Sequence, residues 1–364
     1  MSVAAAVLAH FRAPLELRRY PEPQTLQPGE ALVRVEMAGI CGTDVHLWLG
    51  QLPIPIPLIL GHETVGTVER LGPGRLKDWR GAEVREGDRI TWASSISCGE
   101  CFYCRQKAQP TRCLSRKAYG ISYNADEPPH LRGGYAEKIL LRAGTAIFRL
   151  PDTLPTAAVV GAGCALTTAI HGLERAPVSW GDMVVIQGSG PVGLAALAVA
   201  RQAGAFRTVV LGGPGHRLEL ARRFGADVTI DISASTLADR REQVLQATGG
   251  YGADIVIECV GLPEAVNEGL EYCRDGARFL VLGQYANAGN IEFNPHTITR
   301  KQLQMSGSWG FEPRHVAKAL DMLEATQWKD QFARGITHRF PLDRAQEALD
   351  TARCWTAGKT VIVP

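Results

Sequence analysis

Four cysteines, Cys98, Cys101, Cys104 and Cys113, fall in one short stretch, the first three two residues apart and the last after eight more. Thiolates so placed can converge tetrahedrally on a single ion, and a set with no open position describes a structural zinc site. A disulfide pair, a redox dithiol and an iron–sulfur site use the same residue type. Four ligands on a polar loop with no further cysteine close by fit an all-thiolate zinc best. The expected role is to hold a surface loop that lacks secondary structure of its own.

A second donor set is scattered. The hexapeptide Cys41-Gly42-Thr43-Asp44-Val45-His46 follows the strand-like run from Ala31 to Val35, and Gly61-His62-Glu63 follows a proline-rich approach. Taken singly, Cys41 reads as a buried thiol and His62 as a satisfied core histidine. Taken together they suit a catalytic zinc, which uses about three protein ligands and keeps one position open; two cysteines and one histidine are a known solution. Cys164, in Gly161-Ala162-Gly163-Cys164-Ala165-Leu166, is the natural third ligand.

A third chemistry-bearing stretch is Gly188-x-Gly190-x-x-Gly193, completed by Pro191 and Val192, directly after the strand-like Met183 to Gln187 and opening a helix. Glycines there permit a tight turn and let backbone N–H groups approach a pyrophosphate, with the helix dipole favouring the anion. A site restricted to NAD places an acid at the end of the next strand, where it binds the ribose hydroxyls. Here that stretch reads Leu211-Gly212-Gly213-Pro214-Gly215-His216-Arg217. Gly212 and Gly213 supply no carboxylate, and Arg217 either meets a cofactor phosphate or simply begins the next helix, so NAD and NADP both stay open.

These residues need elements to hold them. The middle of the chain alternates β-branched runs (Met183 to Ile186, Thr208 to Leu211, Asp227 to Ile230, Asp254 to Ile257, Arg278 to Leu282, Leu303 to Gly307) with helical stretches such as Leu194 to Ala203 and Arg217 to Phe224, each stopped by glycine. The alternation predicts an α/β fold with a parallel, doubly wound sheet. The first 160 or so residues carry short strands and many Gly and Pro turns, the texture of a small β-rich domain. The tail from about Trp309, with a helix at His315 to Glu324 and a closing Thr360 to Val363, is too short to fold alone. It is expected to return to the first domain, making the dinucleotide unit an insertion.

Composition bounds the function. Among 364 residues, 39 are basic and 37 acidic, a formal charge of +2, which argues against nucleic acid or a membrane surface and for a small soluble substrate. No apolar run is expected to approach the roughly 20 residues that span a bilayer. Nine cysteines are too few for a disulfide scaffold, and clustered cysteines in a reducing compartment more often bind metal, so the protein reads as cytoplasmic. Cys259, Cys273 and Cys354 read as small packing residues. Trp48, Leu49, Ser94 and Tyr119, near the metal motifs in sequence, read either as a pocket lining for an apolar or cyclic substrate or as core.

Through the Cys41–His46 hexapeptide, Gly61-His62-Glu63, the four-cysteine loop, Gly133-Gly134-Tyr135-Ala136-Glu137, Cys164 and the Gly188–Gly193 turn, the chain resembles the zinc-dependent medium-chain alcohol dehydrogenase family over essentially its whole length. The resemblance implies a GroES-like catalytic domain over residues 1–165 (zinc loop 95–115) and 309–364, with a Rossmann dinucleotide-binding domain over 166–308. It implies two zinc ions per subunit, one catalytic on Cys41, His62 and Cys164 and one structural on Cys98, Cys101, Cys104 and Cys113. Glu63 would approach or exchange onto the metal, Asp44 would accept the second ring proton of His62, and Thr43 and His46 would relay the alcohol proton outward. In polyol dehydrogenases resembling this chain the Cys164 position is usually glutamate, so the cysteine tilts the site toward the alcohol dehydrogenase pattern. Zinc would stabilise an alkoxide at neutral pH, from which hydride passes to NAD or NADP.

The implied reaction is reversible oxidation of a primary or secondary, even cyclic, alcohol to its carbonyl compound. A polyol, sugar or threonine-type dehydrogenase is the nearest alternative, and a catalytically silent dinucleotide-binding protein an alternative of another class. The resemblance also implies a homodimer or homotetramer joined near Met305 to Trp309.

Overall fold

The β-branched runs of the middle segment pair in parallel because both faces of their sheet are covered, which requires nearly continuous apolar residues rather than alternation. The computed structural model describes residues 2–354 and 357–364. Its six-stranded parallel sheet runs in the order Val228–Asp231, Arg207–Gly212, Met183–Gln187, Ala253–Glu258, Cys273–Val281, Gln304–Gly307. Val184, Val185, Ile186, Val209, Val210, Val256 and Ile257 are fully buried, each such side chain contributing roughly 1.5–3 kcal/mol relative to exposure. The chain winds outward from Met183–Gln187 in one direction and from Ala253–Glu258 in the other, so strand order reverses between these two neighbours. Right-handed crossovers then place the helices of the two halves on opposite faces, as a doubly wound sheet requires. The fifth strand begins at Cys273, five residues before the expected start at Arg278, because its opening residues pair with Ala253 ahead of a register shift.

Contacts divide the chain into two units, Met1–Cys164 with Glu312–Pro364, and Ala165–Phe311. The first is β-rich. Its central strand Ala31–Gly39 pairs antiparallel with Glu63–Leu71, Lys138–Leu141 and Lys359–Val363, so the return segment supplies a strand of the same sheet. Gly39 stands opposite both Glu63 and Val361. The core of this unit gathers Val33, Val35, Leu47, Leu60, Ile90, Tyr119, Tyr135, Leu140 and Ile362.

The helix Thr156–Arg175 has the length and apolar composition of a membrane span, contrary to the expectation that no run comes near it, yet 67% of its most apolar window is buried inside the protein. Its path is broken at Gly163, whose φ of 48° and ψ of −148° are non-helical.

Candidate functional site

Cys41 follows the strand Ala31–Gly39 and caps the helix Gly42–Trp48. Its backbone N–H donates to Asp44 Oδ2 (2.8 Å), and the Asp44 N–H donates back to the Cys41 carbonyl (3.0 Å). That reciprocal closure fixes the turn that presents the sulfur and leaves Asp44 fully buried. Tyr135 donates its hydroxyl to the same Asp44 oxygen (3.0 Å). Gly61, at φ 93°, turns the chain into His62 and Glu63; a Cβ there would strike the Tyr135 ring at 2.5 Å. Cys164 comes from the kinked helix.

The fold brings Cys41, His62, Glu63 and Cys164 together, with their ligand atoms all within 4.8 Å of one another. The Cys41 and Cys164 sulfurs are 3.3 Å apart, far beyond the roughly 2.05 Å of a disulfide. His62 Nδ1 stands 3.3 Å from Asp44 Oδ1 without the alignment of a hydrogen bond, both atoms lacking any other partner. The carboxylate thus faces one ring nitrogen and leaves Nε2 to be offered to a metal. Glu63 has both oxygens engaged: Oε1 accepts the Cys164 N–H (2.8 Å), and Oε2 pairs with the Lys359 ammonium, itself buried. Two glycines clear this space. A Cβ at Gly163 would meet Glu63 Oε1 at 2.5 Å, and one at Gly39 would meet Glu63 Oε2 at 2.5 Å and Lys359 Cε at 3.0 Å.

The electrostatics ask for a cation. The hydrogen bond from Cys164 lowers the Cys41 thiol to about 5, while the same bond and burial push Cys164 well above its ordinary value. Without a metal the two sulfurs share one proton; a bound dication would let both ionise. Burial works against the charge of His62, but Asp44 beside it raises its pKa well above normal. Burial likewise opposes ionisation of Glu63, and the Lys359 charge more than offsets it, holding the carboxyl below its usual range. Two soft sulfurs and an imidazole suit zinc.

The cysteine loop is built differently. Cys98, Cys101, Cys104 and Cys113 also converge, their sulfurs all within 4.8 Å of one another, on short turns at Phe102–Gln106 and Pro110–Arg112. Backbone N–H groups serve the sulfurs: Cys98 N–H to Cys113 Sγ (3.2 Å) and Cys101 N–H to Cys98 Sγ (3.4 Å). Backbone hydrogen bonds at Leu114 and Cys104 bring Cys101 down to about 6, while burial pushes Cys104 up to about 12. All four thiols are free, and the donor set fits one structural zinc.

In the second unit, Gly188 (φ 104°) donates its N–H to the Leu211 carbonyl (2.7 Å), and Pro191 and Val192 open the helix Pro191–Gln202. A Cβ on Gly193 would lie 1.9 Å from the Gly188 carbonyl oxygen, so helix and turn touch backbone to backbone. At the end of Arg207–Gly212 the Ser189 hydroxyl accepts the Gly213 N–H (3.2 Å) and fills the space beside Gly212, where a Cβ would meet Ser189 Oγ at 2.3 Å. Any side chain at 212, acidic or not, would therefore require Ser189 to shift. Arg217 is buried, its guanidinium reaching to 3.7 Å from where a Gly190 Cβ would stand.

Thr43 and His46 share the helix Gly42–Trp48, and His46 Nδ1 contacts Gln51 Oε1 at 2.5 Å. Trp48 and Tyr119 join the core of the first unit with Leu49 packed against it, and Ser94 is buried: the Trp48 indole N–H donates to the Ala13 carbonyl (2.7 Å), and the Tyr119 hydroxyl bonds Thr145 and the Arg142 N–H (2.7 Å each). Cys273 is buried as expected, whereas Cys354 is exposed just after the helix Ala345–Arg353 and packs nothing. Lys359, Tyr135 and Gln51 were assigned no chemical role from sequence. For Lys359 the one available signal is a lone charge opening an otherwise uncharged strand, Lys359–Val363.

Comparison with known proteins places these features in a family. A model described as "Alcohol dehydrogenase GroES-like domain" matches residues 27–152, and one described as "Zinc-binding dehydrogenase" matches residues 191–325. The chain is 35% identical to 5-exo-hydroxycamphor dehydrogenase of Pseudomonas putida, covering 92% of each chain. It is 32% identical to D-arabinitol dehydrogenase 1 of Uromyces fabae (88% and 86% covered) and 31% identical to L-threonine 3-dehydrogenase of Saccharopolyspora erythraea (96% and 95%). Among solved structures it is similar to an alcohol dehydrogenase from Thermotoga maritima (TM-score 0.95, 34% identity, both chains fully covered). A putative zinc-binding dehydrogenase from Sinorhizobium meliloti bound to NADP gives a TM-score of 0.85 at 30% identity, again over both full chains.

Proposed function

The chain belongs to the zinc-dependent medium-chain alcohol dehydrogenase family, and from that premise we propose that it catalyses reversible hydride transfer between a primary or secondary alcohol and NAD or NADP. The observation that carries this reading is the convergence of half-buried Cys41 and Cys164 with buried His62, and buried Glu63 behind them. These three residues would hold the catalytic zinc, and Cys98, Cys101, Cys104 and Cys113 the structural one. The catalytic ion supplies Lewis acidity, making a hydroxyl acidic enough to ionise near neutral pH.

The chain's own groups do the rest. Asp44, steadied by Tyr135 and the Cys41 N–H, orients the His62 ring and favours one tautomer. Lys359 and the Cys164 N–H hold the Glu63 carboxylate in place behind the sulfurs. The Thr43 hydroxyl would accept the substrate hydroxyl proton while releasing its own, and His46 would take up the released proton and pass it toward solvent, with Gln51 on Nδ1 fixing which nitrogen receives it. The Gly188–Gly193 turn binds the pyrophosphate, with Gly212, Gly213 and Arg217 bordering the adenosine ribose. With no carboxylate at 212 to repel a phosphate, the site admits either cofactor.

Polyol and threonine-type substrates are the second reading, favoured by relatives with those activities at 31–32% identity. We read the protein as a cytoplasmic homodimer or homotetramer. Free, clustered thiols suit a reducing compartment, and the edge strand Gln304–Gly307, with Met305 exposed, offers a surface for a second copy. The test is metal analysis with a panel of alcohols, polyols and threonine against both cofactors. Two zinc ions per chain and turnover on at least one alcohol are expected; a single zinc with no turnover on any of them returns the silent dinucleotide-binding alternative.

A further inference from the structure

Glu258 is fully buried at the end of the strand Ala253–Glu258, with no part in the chemistry above. Its Oε1 accepts the N–H groups of Val260 (2.6 Å) and Gly261 (2.7 Å), and its Oε2 accepts the N–H of Gly283 (3.1 Å). Its own carbonyl accepts from Leu282 (2.9 Å) and Gly283 (3.1 Å). One residue therefore ties the loop after its own strand to the loop after the neighbouring strand Cys273–Val281. The two loops meet without side chains: a Cβ on Gly261 (φ 84°) would lie 2.6 Å from the Gly283 carbonyl, and one on Gly283 would lie 2.4 Å from the Gly261 nitrogen and 2.7 Å from Glu258 Oε1. Burial pushes the Glu258 carboxyl above its usual range, and the backbone donors of Gly261, Val260 and Gly283 counter part of that cost.

Position gives the clamp its meaning. In an open doubly wound sheet the ligand lies beyond the carboxyl ends of the strands, where strand order reverses, each half of the sheet serving one half of a dinucleotide. Glu258 pairs in register with Gln187, the residue before the phosphate-binding turn, so it stands at that reversal. The glycine turn belongs to the half that serves the adenosine diphosphate. The clamped loops belong to the other half, which serves the nicotinamide nucleotide. We infer that Glu258 is a positioning residue for the nicotinamide half of the cofactor, holding the 259–262 and 282–283 loops in one fixed arrangement over which that half lies. This rests on the dinucleotide reading above.

The test measures, on the zinc-loaded protein, the affinity for NADH and NADPH by fluorescence titration and for ADP by competition, in wild type, Glu258→Gln and Gly283→Ala. Glu258→Gln replaces one carboxylate oxygen by a donor facing backbone N–H groups, and Gly283→Ala leaves the carboxylate intact while forcing the loops apart. Both variants are expected to weaken the preferred reduced dinucleotide by about tenfold or more, the scale of losing a hydrogen bond to a charged group. Their kcat falls, and ADP affinity stays within about twofold. Parallel weakening of ADP and dinucleotide, or unchanged dinucleotide affinity in both variants, overturns the clamp. If the wild type binds ADP and a dinucleotide normally while the variants show no split, the clamp alone fails. If the wild type binds neither dinucleotide, the cofactor reading fails and the clamp with it.

Discussion

The two sulfur-rich sites of the first unit are assembled in opposite ways. The Cys98–Cys113 loop takes its four sulfurs from one short stretch near the surface and steadies them with neighbouring backbone N–H groups. The inner cluster takes Cys41, the adjacent His62 and Glu63, and Cys164 from three separate segments and balances their charge with further side chains, Asp44 and Lys359. A local site can lose a ligand and forfeit mainly the order of its loop. The assembled site has its ligands, orienting acid and counter-ion in one desolvated volume, so a single loss disturbs both chemistry and charge balance.

The largest effect that would sharpen this contrast is on turnover. Cys41→Ser or His62→Ala should reduce kcat by at least about a thousandfold, ~4 kcal/mol of barrier, with zinc falling from two ions per chain to one and dinucleotide binding retained. Near-normal turnover by Cys41→Ser after chelation would break the contrast outright. Next comes Lys359→Met, which leaves the Glu63 carboxylate buried without its cation. Urea unfolding should show a loss of about 3–5 kcal/mol, largely restored by Lys359→Arg; a variant as stable as wild type would remove Lys359 from the charge balance.

The same pair has a pH signature in zinc-stripped protein. Glu63 is held below its ordinary 4.5, so its contribution is complete above that pH and is lost as pH falls through the folded value. Glu63→Gln should flatten that acid limb, and an unchanged limb would count against the pairing. A smaller change follows Cys101→Ser. It should cost about 1–3 kcal/mol and one zinc, leaving kcat per catalytic zinc within about twofold; a collapse of kcat with the catalytic ion still bound would erase the distinction between the sites. Smallest is His46→Ala, for which about a tenfold loss at low pH should recover at higher pH or with added imidazole. A rate profile identical to wild type would take His46 out of proton transfer.

What was legible in the residues followed the same divide. The cysteine loop and the Gly188–Gly193 turn announce themselves because their chemistry is contiguous, and the six parallel strands because burial on both faces leaves unbroken apolar runs. Cys41, His62 and Cys164 are each ordinary alone and gain meaning only in combination, as a three-ligand zinc set that the family pattern reinforces. Lys359 could not be placed, since it pairs with a residue 296 positions away. Nor could the roles of Gly39 and Gly163, which matter only for the carboxylate that sits where a Cβ would. The opening of Cys273–Val281 was missed because Arg274, Asp275 and Gly276 are polar or flexible and read as a loop.

The long reach of the Glu63–Lys359 pair also bears on how the protein is made. Synthesis proceeds from the N-terminus, and early segments fold before late ones have left the ribosome. The cysteine loop has all four of its ligands once Cys113 has emerged, whereas the Glu63 carboxylate lacks its counter-charge until Lys359, far later in the chain, has followed. One site is thus complete within a single short stretch of nascent chain, while the other is charge-balanced only after distant segments have met.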